Sequence, residues 1–303
     1  VSHYDEAGVI LAARRDIVDS GCAPVEVAAL AKEMAAGVIT AHGAGRSDIV
    51  YYVDQHTAGH HPEISVAMEL VLKAAGLSYR IVSGADSGKA LAVLGYWDEA
   101  RKLAAKVAAA LMVPSAKTIL VSCPAAYDAF LSDYPRLGIP FPAGVEILHS
   151  SELIGRLISE GQIKGQNATS LKVFPLASDY LKNYRSGTGD IGAILTALGV
   201  KGASFGTNAE ESYTAGEGAV VLDRLNPSLV EKLSRYVLAR MGDASDTLLT
   251  LSPYTKFALQ KFGGSGMRVT TLEEIAAGWV QGVGGSPKRN DSPYAVAVES
   301  GNH

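Results

Sequence analysis

The chain has 303 residues, 48% of them hydrophobic, and a net charge of −4, enough for one large domain or two ordinary ones around a substantial core. Lys and Arg gather no further than pairs such as Arg14-Arg15 and Lys288-Arg289, which excludes a nucleic-acid surface. Cys22 and Cys123 are the only cysteines, which excludes a disulfide framework and a four-iron cluster held by protein thiolates alone.

Residues 1–46 read as helical. Val9, Ile10, Ala13, Ile17 and Val18 share one face of a first helix, and Pro24 opens a second with Val25, Val27, Leu30, Ala31 and Met34. Gly43 to Arg46 read as a linker. From Asp48 short apolar strands alternate with helices: strand 49–53, helix 62–75, strand 79–82, helix 96–112, strand 118–122, helix 124–131, strand 145–148, helix 151–159. The alternation then recurs: strand 171–174, helix 190–198, a weak strand 202–205, helix 227–241, strand 247–251, helix 253–262, strand 267–270, helix 272–279. The Gly-, Ser- and Pro-rich stretch after Gly282 reads as an extended or disordered tail.

This order predicts an α/β fold: two Rossmann-like halves with parallel sheets, related by a pseudo-twofold axis and preceded by a short helical segment. The expected divisions are a helical extension 1–46, a first repeat 47–165, a second repeat 166–282 and a tail 283–303. Two such halves place a site at their interface. The longest unbroken apolar run, 107–113, is too short to span a bilayer, and Glu6, Arg14, Arg15 and Asp16 interrupt any N-terminal apolar segment. The expectation is a cytoplasmic protein, and the sequon at Asn167 to Thr169 is then chance.

The repeats share one phrase. Thr118-Ile-Leu-Val-Ser-Cys123-Pro-Ala-Ala-Tyr127 and Thr247-Leu-Leu-Thr-Leu-Ser252-Pro-Tyr-Thr-Lys256 keep a register of 129 residues. Each is a buried strand running into a Pro-started helix, a place that favours a thiolate, yet only the first carries a cysteine. A buried small side chain at a strand end is the simpler role for Cys123. His56, His60 and His61 lie near Asp54; on a helix His56 and His60 would share a face, the start of a metal site, although Pro62 breaks the segment. The Gly-rich turns at 84–88 and 214–218 offer backbone N–H groups to a phosphate, but Asp86 and Glu217 would repel one. Ser122, Ser150 and His149 form no spaced hydrolase set.

Through the Ser-Cys-Pro-x-x-Tyr stretch and the Leu-x-x-Tyr-Pro phrase at 131–135, residues 48–282 resemble the tandem CCG (cysteine-rich) domain. That family includes the cysteine-rich component of heterodisulfide reductase and the iron–sulfur components of glycerol-3-phosphate, glycolate and lactate oxidoreductases. The resemblance places Gln55, Asp86, Ser87, Cys123 and Ala126 at the cluster positions of the first repeat. In the second repeat it places Ser178, Thr214, Ala215, Ser252 and Thr255 there. Nine of the ten family cysteines are thus replaced.

The resemblance implies a cluster-less, non-catalytic structural subunit of a multi-subunit electron-transfer oxidoreductase, with no cofactor in this chain. Its implied partners are flavin- and iron–sulfur-containing subunits or a cluster-bearing paralogue, with membrane association only through them. Residues 1–46 and the tail are the expected docking arms. The alternative is an oxidoreductase subunit or enzyme with another cofactor in the vacated site: a metal at His56, His60, Asp86 and Cys123, or a nucleotide on the Gly turns. A third option is a small-molecule binding module that uses the cleft between the halves.

Overall fold

The computed structural model describes residues 5–43, 45–165, 171–184, 190–203, 213–241, 247–263 and 268–282. Two N-terminal helices, α1 (Glu6–Asp19) and α2 (Val25–Ala35), precede strand β1 (Thr40–Gly43). Strand β2 (Ile49–Val53) leads through α3 (Gln55–His60) and α4 (Pro62–Ala74) to β3 (Tyr79–Ser83). Helices α5 (Lys89–Leu94) and α6 (Trp97–Leu111) then lead to β4 (Thr118–Val121). A continuous helical run follows: α7 (Pro124–Asp128), a π-turn at Ala129–Asp133, and α8 (Tyr134–Arg136). Strand β5 (Glu146–His149) and α9 (Ser150–Ser159) close the first half.

The second half repeats the order. Strand β6 (Lys172–Leu176) is followed by α10 (Asp179–Tyr184), α11 (Ile191–Ala197) and β7 (Lys201–Gly202). A 3₁₀ turn at Glu217–Ala219, α12 (Leu222–Leu225) and α13 (Pro227–Leu238) lead to β8 (Thr247–Thr250). Helix α14 (Pro253–Phe262), β9 (Arg268–Thr271) and α15 (Leu272–Gln281) complete the described chain.

The first sheet has the order β1-β3-β2-β4-β5 and the second β7-β6-β8-β9. Apart from β1 every pairing is parallel, and the four strands β2 to β5 are ordered as β6 to β9 are. The expected α/β class of two Rossmann-like halves is therefore the observed one.

Strand β2 shows why the sequence folds this way. All five of its residues are buried, as a parallel strand covered on both faces requires. Because side chains alternate, Ile49, Tyr51 and Val53 enter one core and Val50 and Tyr52 the opposite one. The first of these cores holds residues of both halves, with Leu120 and Ile154 beside Val173, Leu249, Leu272 and Ile275. Helix α15 of the second half packs along α4 of the first. The opposite core lies under α6, whose Leu103, Val107 and Leu111 recur at helical spacing.

Strand β1 is absent from the sequence expectation, which has only helices and a linker there. Its Thr-Ala-His-Gly residues carry no apolar alternation, and the strand exists as an antiparallel edge on β3, with Thr40 opposite Ser83. The edge is held by a tight approach at Gly84, whose φ is +100° and whose added methyl would overlap the Val38 carbonyl oxygen. Gly84→Ala is expected to destabilise the fold by more than about 1 kcal/mol, read as a lower urea midpoint. An unchanged midpoint would mean that residues 38–43 do not pack on β3 as seen.

The helix expected at 124–131 runs on to Arg136 through the π-turn. Pro135 supplies no N–H to the ladder, and the helix widens by one residue just before it. Helix α1 buries none of its residues, and Val9, Ile10 and Ile17 stay about half exposed (55%, 52% and 46%). Among the described residues no helix is long and apolar enough to cross a membrane. The tail 283–303, the sequon and the end of the strand expected at 202–205 lie outside the described residues.

Candidate active site

In an open parallel sheet, ligands bind beyond the carboxyl ends of the strands, where the chain turns from building one side of the sheet to building the other. Here β2 is flanked by β3 on one side and β4 on the other, and β6 likewise by β7 and β8. The residues at the N-caps of the helices after β2, β4 and β8 are Asp54, Cys123 and Ser252. All three line one cavity of about 40 Å³, room for roughly three water molecules, open to solvent on one side. Asp86 and Lys89 of the first half line it too, as do Glu217 and Tyr254 of the second.

The strand registers fix which positions are equivalent. Ile49 pairs with Thr118 as Val173 pairs with Thr247, so five residues further on Asp54 matches Ser178. Both cap the next helix: Asp54 accepts from Thr57 N at 3.0 Å and Ser178 Oγ from Leu181 N at 3.4 Å. The placement of Gln55 opposite Ser178 is off by one residue, and Gln55 is exposed on α3, outside the cavity.

The following turns match as well. Gly88 and Gly216 have φ of +88° and +93°, and each donates its N–H two residues back, to Asp86 Oδ1 (2.7 Å) and Thr214 Oγ1 (2.8 Å). The next residues, Lys89 and Glu217, are therefore equivalent and opposite in charge. These turn amides are engaged by their own side chains, which leaves no open phosphate cradle at Gly88 or Gly216.

Glu217 is 2% exposed. It accepts from Ser178 Oγ at 2.9 Å and from Asp179 N at 2.7 Å. Burial pushes its carboxyl up to about 7, with help from the Asp179 carboxylate and against the hydrogen bonds of Ser252, Ser178 and Asp179. Burial also pushes Asp86 up to about 6; the N–H groups of Gly88 and Ala90 oppose this, and Asp54 adds to it. The Cys123 thiol is driven well above its ordinary value, first by burial and then by Asp54, with Glu217 and Asp86 adding repulsion. The helix start at Pro124 does not make Cys123 a thiolate: burial above all, then Asp54, Glu217 and Asp86, favours the protonated thiol.

Lys89 is held at the cavity edge by Asp128 (2.7 Å) and Asp133 (2.8 Å), with the Tyr180 ring of the second half 5.2 Å away. Residues five apart point well away from each other on an α-helix. The π-turn at Ala129–Asp133 is what turns both carboxylates onto one ammonium.

The remaining expected cluster positions are filled and bonded. Ser87 and Ala126 line the cavity. Thr214 donates to Asp179 Oδ2 at 2.6 Å, Ala215 is buried in the core of the second half, and the Thr255 N–H caps onto Ser252 Oγ at 3.2 Å. The histidines divide. His56 lines the cavity, His60 lies 4.3 Å from the Phe257 ring, and His61 is 2.8 Å from Glu63. Among the described residues no group of three or more His, Cys, Asp and Glu is placed to hold a metal.

Ser122, Ser150 and His149 belong to the seam between the halves. Ser122 bonds Tyr51 at 2.9 Å, Ser150 reaches Glu273 at 2.6 Å, and His149 caps α9 in a capping box that Thr271 repeats at α15. Burial lowers His149 to about 4, so it stays neutral. Lys89, Glu217 and Tyr254 are the polar lining residues that sequence reasoning did not single out as functional. The matched Gly88 and Gly216 carry the signal for the first two.

No protein-family model matches the chain, and no curated protein does. Solved structures of similar fold include a hypothetical protein from Helicobacter pylori (TM-score 0.52, 10% identity, 84% of this chain and 53% of that one). This chain thus spans about half of that protein's length. An aspartate racemase from Picrophilus torridus also matches (TM-score 0.35, 13% identity, 80% of this chain and 97% of that one). So does an aspartate racemase homologue from Pyrococcus horikoshii (TM-score 0.30, 13% identity, 78% and 96%).

The resemblance to the CCG domain is corrected here: no family model matches the chain, and the fold is shared with the Helicobacter pylori protein. The reading as a cluster-less oxidoreductase subunit is corrected with it. The ten positions look vacated only when measured against a cluster. In this fold Asp86, Ser87, Cys123, Ala126 and Ser252 line an ionisable cavity, and the other five positions lie outside its lining. Flavin and iron–sulfur partners were implied by that resemblance alone.

Proposed function

We propose that the chain is an isomerase-type enzyme, racemase- or epimerase-like, that moves a proton off and back onto a carbon of a small molecule held between the halves. One observation carries this: Glu217 of the second half and Cys123 of the first line the same cavity in complementary states. Glu217, near 7, is partly ionised at neutral pH and accepts a proton; Cys123 is protonated and donates one.

The step balances. Glu217 takes the proton from the substrate carbon, the electron pair is delocalised into the adjacent carbonyl, and Cys123 protonates the carbon from the other side. This leaves the centre inverted, Glu217 protonated and Cys123 a thiolate. Proton exchange with water restores both. Asp54, Asp86 and Glu217 disfavour the thiolate, which favours that return. Two unpaired cysteines suit a reducing, cytoplasmic setting for this chemistry.

The test is solvent-deuterium wash-in with single enantiomers of small chiral amides, hydroxy acids and amino acids. The expected result is one deuterium at an inverted centre; full retention of the α-proton across the panel would overturn the reading. In Cys123→Ala the far-side donor is gone. Deuterium is then expected to enter with retained configuration, as mass spectrometry and chiral chromatography together would show.

A further inference from the structure

Within the proton-transfer reading just given, we infer that Leu30 of α2 is a positioning residue for Glu217: it clamps Val220 of the opposite half in a strained backbone conformation and so fixes the turn that carries the proton acceptor. Val220 has φ +51° and ψ −34°, and among the described residues it is the one non-glycine at positive φ. The branch at Cβ makes that conformation unfavourable, and it persists only where the surroundings over-determine it. Val220 closes the 3₁₀ turn that begins at Glu217, donates its N–H to the Glu217 carbonyl at 2.9 Å and lines the cavity itself.

The two halves diverge at this point. After Gly88 the first half continues as the regular helix α5, whereas after the equivalent Gly216 the second makes only a 3₁₀ turn that ends at Val220. What lies against that end is α2. Leu30, 6% exposed, is buried with Ala90 of α5 and with Val221, and Met34, Leu94 and Val220 pack on them. This small core is separate from the two that cover the faces of β2, and Leu30 is its largest buried side chain.

An independent contact sets the register of α2 on this segment. Arg224 of α12 donates to both carboxylate oxygens of Glu33, at 3.1 and 2.9 Å. Glu33 and Met34 follow Leu30 by three and four residues, so all three point to the same side of the helix. The exposed ion pair contributes little stability, and Leu30 supplies the buried contact. Helix α2 also packs on α5, which begins at Lys89, and so holds the equivalent positions Lys89 and Glu217 in one frame.

The test follows the Glu217 carboxyl by ¹³C NMR titration of the intact protein, with α-deuterium wash-in read on the same samples. In Leu30→Ala the turn is released to water, and the Glu217 midpoint is expected to fall by about one pH unit or more, because burial is what raises it. Leu30→Val, a smaller truncation, is expected to shift it the same way by less, and it decides the question if Leu30→Ala does not fold. Leu30→Met is expected to keep the wild-type midpoint. Val107→Ala opens a hole under α6, outside this cluster, and is expected to leave the midpoint in place. The charged groups around the carboxyl, Asp179 and the cavity-lining Asp54, Asp86 and Lys89, are the same in every variant. An unchanged midpoint in the Leu30 truncations, or an equal fall in Val107→Ala, would overturn the inference; wild-type wash-in would then leave the proton-transfer reading standing. A midpoint that depends on Leu30, with no wash-in by the wild type, supports the clamp and removes that reading.

Discussion

Glu217→Gln is expected to lower α-proton exchange by roughly 10²–10⁴-fold, the usual contribution of a positioned acid or base. The amide keeps the size of the side chain and can still accept from Ser178, but it cannot take a proton from carbon. Its NH₂ group faces the Asp179 N–H, so some stability is lost, and circular dichroism should confirm that the fold persists. In the wild type, exchange should rise with pH as Glu217 ionises, with a midpoint near 7. No falling limb is expected in the neutral range, because Cys123 stays protonated well above its ordinary value. A profile centred near 4.5 would assign the proton acceptor to an ordinary carboxylate instead.

Lys256→Met is expected to destabilise the protein by about 3–5 kcal/mol, the cost of stripping a partner from buried charge. Lys256 is 2% exposed, lies 3.0 Å from Glu63 of the first half and 2.8 Å from Glu274 of the second, and so joins the halves. Burial alone would raise Glu63; the hydrogen bond with His61 and the Lys256 ammonium outweigh it and hold Glu63 down to about 2. A carboxyl depressed in the folded state stabilises above its unfolded value of 4.5 and loses that contribution as pH falls through about 2. The urea-midpoint gap between wild type and Lys256→Met should therefore be constant from pH 7 to 5 and narrow below about 4.5. A variant as stable as wild type at pH 7 would show that the seam does not depend on this ion pair.

Much of the fold was legible because parallel strands buried on both faces leave near-continuous apolar runs. Ile49–Val53 and Thr247–Thr250 read directly, and Pro253 marked the start of α14. Strand β1 was not legible, since its pairing comes from β3 and from the close approach at Gly84. Nor was α3, where Asp54 caps a helix whose Gln-His-Thr-Ala-Gly-His sequence has no apolar stripe.

The site was legible in part. Cys123 and Ser252 were picked out by the internal repeat and Asp86 by its Gly-rich turn, and the cavity does lie where the two repeats meet. The family drawn from those same residues was not the right one, because a Ser-Cys-Pro turn after a buried strand reflects the α/β geometry shared by many folds. Asp54 was displaced by one residue, an error that only strand register corrects. Lys89 and Glu217 are a charge-reversed pair, so a comparison of like with like passes over them until the matched glycines reveal the register.

The proposed proton transfer depends on a carboxyl in the interface that changes protonation near neutral pH. The most direct measurement is a ¹³C NMR titration of glutamate side chains in the intact protein, with Glu217→Gln used to assign the signal. A resonance that titrates near 7 and disappears in the variant is the predicted result. If the Glu217 carboxyl titrates near 4.5 like a surface glutamate, it is ionised throughout the neutral range, and the proton-transfer site proposed here is contradicted.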